Sequence, residues 1–91
     1  MIKIAFIQNM GQVIADVEEN LDGTFTFDKP VVIMPGPSGV QMAPLLMLTE
    51  ETSLTLSKSE IMFGAALFDP IKELRNQYNS QYGSGIQLVG G

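Results

Sequence analysis

Histidine and cysteine are both absent from this sequence, and their absence decides much of the chemistry open to it. Without imidazole there is no commonest general base, no Ser-His-Asp triad and no imidazole metal site. Without thiols there is neither a disulfide nor a thiolate metal site. What remains are carboxylates, hydroxyls and five cations: Lys3, Lys29, Lys58, Lys72 and Arg75. Asp16 and Glu18 share one face of a strand, and such a pair can bind a hard cation or act as an acid pair. In a stretch whose other face is apolar they read instead as a solvated strand face, and Glu50 with Glu51 reads the same way. The run Pro35 to Gly39 has the look of a phosphate loop, but it lacks the Gly-Lys-Ser/Thr ending and a following helix, so it reads as an ordinary loop. Lys58, flanked by Ser57 and Ser59, is the best candidate contact, with a surface turn carrying one solvated lysine as the equal alternative. Tyr78 and Tyr82 offer rings for stacking, although a helix face docking on the domain accounts for them better. No catalytic residue, cofactor or metal is expected.

The balance of charge and apolar residues bears on partners. A net charge of −5 argues against a dominant phosphate-binding surface. It does not exclude nucleic acid, because a symmetric ring repeats one lysine around its axis and the local potential can oppose the total. The 91 residues make one domain, 45% of them hydrophobic and six of them Met. A domain this small buries only about 60–65% of its surface, so part of that apolar surface is expected in interfaces between copies, where Met and aromatic residues are favoured. No secretory signal follows Met1, and the most apolar stretch, Ile61 to Phe68, is too short to span a bilayer. The expected location is cytoplasmic, with no membrane partner.

The elements that must position these residues are mostly strands. Ile2 to Ile7 alternates with Ile2, Ile4 and Phe6 on one face, and a turn follows at Asn9 to Gly11. Gln12 to Glu19 alternates again, with Val13, Ala15 and Val17 opposite an acidic face. Asp22-Gly23 is a hairpin signal. Thr24 to Phe27 follows with both phenylalanines inward, and Val31 to Met34 continues it past Pro30, which requires an edge or a bulge there. Leu45 to Leu48 and Ser53 to Ser57 read as one long fourth strand or as two short ones interrupted near Glu50-Glu51, Lys58-Ser59 as a tight turn, and Ile61 to Phe68 as a fifth strand apolar on both faces. Asp69 then caps, and Pro70 opens, a helix over about 70–80, docked through Ile71, Leu74 and Tyr78. The chain thus divides into a β-barrel over 1–68, a C-terminal helix packed on it over 69–82, and a Gly-rich tail over 83–91, for which a neighbouring copy's sheet edge is the expected partner.

Phe6 to Gly11, Val13 to Glu18 and Asp22 to Phe27 resemble the first motif of the Sm/LSm family: an apolar strand, a turn glycine, a bent strand with a small residue, then an aspartate before a third apolar strand. Gly11 stands at the turn glycine, Ala15 at the small residue, and Thr24 where the family has asparagine. Thr55 to Ile61 resembles the second motif, with Ser57-Lys58 in place of arginine-glycine. The helix and tail resemble Sm-like proteins encoded by marine cyanophages. The resemblance covers roughly residues 2–68 plus the tail, and the helix follows the barrel instead of preceding it.

The resemblance implies a mostly β fold: a five-stranded, strongly bent, SH3-like small barrel with one short C-terminal helix. It implies a homo-oligomeric ring of roughly five to seven copies, strand four of one copy pairing with strand five of the next. It places Asp22, Gly23 and Thr24 beside Ser57, Lys58 and Ser59 at the pore, as contacts for single-stranded RNA or DNA. The implied function is a non-catalytic scaffold or chaperone in RNA or DNA processing. The alternative is a structural or adaptor oligomer that binds proteins through its sheet edges and takes no nucleic acid.

Overall fold

The computed structural model describes residues 1–82; the tail over 83–91, and the strand-edge partner expected for it, lie outside them. The described chain is mostly β, with five antiparallel strands in one sheet and a short helix. β1 (Ile2–Ile7) and β2 (Gly11–Glu19) form a hairpin in which Ile4 faces Ile14, and β2 pairs in turn with β3 (Phe25–Gly36). The outer edge of β3 carries two strands in succession. Its second half pairs with β4 (Gly39–Pro44), and its first half with β5 (Ser53–Leu56).

Such sharing of one strand requires β3 to bend, and its sequence says where. On β2 the step from Ile14 to Asp16 spans two residues, whereas their partners Val31 and Asp28 are three apart, so Lys29 and Pro30 together oppose Ala15. That is a β-bulge, one of the two possibilities Pro30 allowed. Lys29 sits at φ 52. The backbone groups freed by the bulge find partners elsewhere. Lys29 N–H donates to Thr52 O at 2.7 Å, Leu45 N–H to Pro30 O at 2.8 Å, and the Tyr78 hydroxyl to Asp28 O and Lys29 O at 3.1 and 2.9 Å. The bulge also reverses which parity faces which side: Phe25 and Phe27 face one cluster, Val31 and Ile33 the other.

The sheet therefore has an apolar cluster on each face. Ala5, Ile7, Val13, Ala15, Val17, Phe25, Phe27, Leu56 and Ile61 form the larger. Ile14, Val31 and Tyr78 form the smaller, with Ile2, Ile4, Ile33, Met42 and Leu74 packed around them. Full burial of a side chain such as Phe27 contributes on the order of 1.5–3 kcal/mol.

Several expectations are corrected. Pro35 to Gly39 is no open loop: Gly36 pairs with Gly39 across a two-residue turn, so the hairpin β3–β4 replaces it. Gly39 has φ 122, a conformation that side chains resist. The fourth strand forms only at Ser53–Leu56, and Leu45 to Leu48 leave the sheet. The fifth strand, Ile61 to Phe68, does not form. After a 3-10 turn at Lys58–Glu60, the segment touches β1 through isolated bridges, Ile7 with Ile61 and Ile4 with Phe68. Seven steps of this segment match three on β1, and the surplus is taken up by the single turn α1 (Met62–Ala65), left-handed at Phe63, Gly64 and Ala65. Met62 and Phe63 on this turn are exposed.

The C-terminal helix is α2 (Lys72–Gln81). Asp69 does not cap it; Ile71 occupies that position without a side-chain bond, because Asp69 is drawn to Lys3, 2.5 Å away across to β1. Tyr78 and Leu74 dock as the spacing predicts, but Ile71 points to solvent. No helix among the described residues is long and apolar enough to cross a membrane.

Candidate functional site

Pairing between β3 and β5 brings the two turns of interest to one end of the sheet. Phe25 faces Leu56, so Thr24 and Ser57 fall at the next step, each at the mouth of its own turn. A methyl group at Gly23 would lie 3.9 Å from Lys58 Cε. All six residues singled out by the sequence, Asp22, Gly23, Thr24, Ser57, Lys58 and Ser59, thus stand on two adjoining turns.

Each turn is stitched by its own side chains. Asp22 Oδ1 accepts from Thr24 N–H at 3.0 Å and from Thr24 Oγ1 at 2.6 Å. Those bonds, the side-chain one first, hold the Asp22 carboxyl below its ordinary range. Asn20 Nδ2 donates to Thr24 Oγ1 and Thr26 Oγ1 at 3.0 and 2.9 Å. Gly23, at φ 87, allows the tight turn between them. On the other turn, Glu60 Oε1 accepts from Ser57 N–H at 2.9 Å and from its hydroxyl at 3.2 Å, while Ser57 Oγ and Ser59 Oγ lie 3.0 Å apart. Gln8 Nε2 donates to Ser59 O at 2.8 Å and ties this turn to the end of β1. The donors of Thr24 and Asn20 are thereby spent within the protein. Lys58 is exposed and forms no ion pair among the described residues, so its ammonium is the group free to meet an anion.

The carboxylate pair lies elsewhere. Asp16 and Glu18, joined by Asp28, line an open surface groove with Thr26 and Ser53, and Asp16 Oδ1 accepts from the Met1 amino group at 2.6 Å. No group of three or more His, Cys, Asp or Glu among the described residues could hold a metal ion. Tyr78, weighed for stacking, is buried, its ring 6.0 Å from that of Tyr82.

One feature of the surface was missed by the sequence reading. Phe6, Phe63 and Phe68 meet edge to face, with centroids 5.2, 5.6 and 6.5 Å apart. Phe63 is 64% exposed and Phe68 42%. No periodic signal in the sequence could have gathered them, because their meeting depends on the left-handed turn that interrupts the expected strand.

No protein-family model matches this chain, and no curated protein matches it.

Proposed function

We propose that the chain is a non-catalytic, homo-oligomeric scaffold of Sm-like type that holds single-stranded nucleic acid, RNA or DNA, against the rim formed by Asp22, Gly23 and Thr24 with Ser57, Lys58 and Ser59. The observation that carries this reading is the approach of the two turns, with Lys58 beside Gly23. One lysine is a weak phosphate contact, but roughly five to seven copies around a ring axis repeat it, and their contributions add. A lysine repeated in every copy makes such binding salt-dependent, because each phosphate contact releases counterions. The site of action is the cytoplasm, that of the host cell if the chain is of phage origin.

The reading is tested by native mass from light scattering together with fluorescence anisotropy on short oligo-U and oligo-A at low salt. A closed oligomer whose affinity drops at least about tenfold in Lys58→Ala supports it. A closed oligomer indifferent to RNA moves the function to protein scaffolding, and a monomer removes the ring and its pore together.

The alternative, an adaptor that binds proteins through sheet edges, is favoured by one observation of its own. β4 stands at the end of the sheet path, so its outer edge pairs with no strand among the described residues, and Val40 on it and Met34 on the neighbouring β3 are exposed. An open edge with apolar flanks accepts an added strand.

A further inference from the structure

A half-open apolar groove lies where the bulge of β3, the end of β4 and the last turn of α2 meet. Its walls are Pro30 and Val31 from β3, Pro44 at the end of β4, Leu46 from the loop after it, and Tyr82 at the close of α2. Lys29 and Glu51, both exposed, add one charge of each sign, so the lining is neutral as a whole. The groove holds about 150 Å³. An apolar cavity of that size takes a six-carbon ring, so one aliphatic side chain fits.

The backbone around the groove is already paired at three places. Lys29 N–H donates to Thr52 O, Leu45 N–H to Pro30 O, and the Tyr78 hydroxyl to Lys29 O. An occupant therefore meets apolar walls and not a free ladder, which suits an inserted side chain better than an added strand. A neutral apolar lining also favours an uncharged segment over a polyanion.

The chain supplies such a segment next to the groove. It leaves α2 at Tyr82, itself a wall, and runs through Gly83-Ser84-Gly85 to Ile86, Leu88 and Val89. No charged residue stands between Gly83 and Val89. Glycine and serine are turn residues, and a turn over Tyr82 to Gly85 brings its ends within about 7 Å. Ile86 is the next residue. We propose that the groove is a docking site for the chain's own tail, with the Ile86 side chain seated between Leu46, Pro44 and Tyr82. The three-residue tether gives Ile86 an effective concentration on the order of millimolar at the groove, an advantage that a segment from a separate molecule lacks. Docked in this way, the tail fastens the end of α2 to the bulge. The groove shares no residue with the Lys58 rim, so either can fail without the other.

The first test uses the unmodified chain. Nuclear Overhauser contacts from the Ile86 methyl groups to those of Leu46 are expected, and their absence overturns the proposal. The second uses the lack of cysteine in this chain. Leu46→Cys with Ile86→Cys creates a single thiol pair, which added oxidised glutathione converts to a disulfide while being reduced itself. The comparison is Asn79→Cys with Ile86→Cys, because Asn79 is exposed on α2 three residues before Tyr82 and outside the groove. Closure within one chain is expected to be roughly tenfold faster for the Leu46 pair, since docking raises the effective concentration there alone. Equal rates in the two pairs mean a tail that samples both positions alike, and overturn the proposal. A covalent dimer in place of the closed monomer means that the tail enters another copy's groove, and overturns it as well.

Discussion

Tyr78 ties helix, bulge and core together through one hydroxyl. Its ring is buried in the smaller cluster, and its proton is shared between the carbonyls of Asp28 and Lys29. Tyr78→Phe leaves the packing but strands two carbonyls at the bulge, and should cost about 1–3 kcal/mol, read as a lower urea midpoint. The same residue gives a signature in pH. Burial pushes the phenol up to about 12, whereas in the unfolded chain it ionises near 10. The unfolded state therefore loses its proton first. The contribution of Tyr78 is fully present below about pH 10 and disappears as pH rises towards 12. Urea midpoints at roughly pH 8 and pH 11 should converge in Tyr78→Phe and differ in the parent protein. Asp69 carries the opposite sign. Its carboxyl is held down by Lys3, so its contribution is present above roughly pH 4 and is lost on acidification. Asp69→Asn should flatten the acid limb of a stability profile without touching the alkaline one.

At the scale of the element, the bulge in β3 decides the architecture. One extra residue reverses the facing of the strand and frees its outer edge for β4 on one half and β5 on the other. Lys29 occupies the left-handed position there, at φ 52, at a cost of about 1–2 kcal/mol. Lys29→Gly relieves that strain and gives back about 0.4–1 kcal/mol through greater freedom of the unfolded chain. A net gain of roughly 0.5–1 kcal/mol is expected, seen as a rise in the urea midpoint. A loss of stability would mean that the lysine stem packs over the adjacent groove lined by Pro30, Pro44 and Leu46. The turns on either side of the rim behave differently. Gly23 has room for a methyl group but sits at φ 87, so Gly23→Ala should destabilise through backbone strain alone, by about 1–2 kcal/mol. Its effect on nucleic-acid affinity, measured on folded protein, should be small beside that of Lys58→Ala if the ammonium carries the rim.

For the whole molecule, the question is what covers the apolar surface that folding leaves outside. Besides the aromatic trio, Met34, Val40, Met47, Leu48 and Ile71 are exposed, more than scattered single residues require. Self-association is the proposed cover, and it is concentration-dependent by nature. Light scattering across a dilution series should show the native mass falling together with the thermal midpoint. Met47→Ser with Leu48→Ser should shift that dissociation to higher concentration if the loop after β4 lies between copies, and leave it unmoved otherwise.

Legible in the residues alone were the mostly β class, the first three strands, both turns of the rim, an edge or a bulge at Pro30, and the docking of Tyr78. Each rests on a local cause: two-residue alternation in Ile2 to Ile7 and Gln12 to Glu19, turn chemistry at Asn9 to Gly11 and Asp22-Gly23, the missing N–H of proline, and helical spacing of Leu74 and Tyr78. The rest was settled by contacts between distant parts of the chain. β4 has few β-forming residues and exists because β3 offers it an edge. Ile61 to Phe68 is apolar throughout, yet its two ends are fixed to β1 only three residues apart, and a chain too long for its partner must turn out. Asp69 had the right chemistry for a cap and was taken by a closer cation from β1. The meeting of Phe6, Phe63 and Phe68 follows from that outward turn. Periodicity and capping are written within a few residues of chain, whereas competition between partners far apart in sequence is settled only when the fold brings them together.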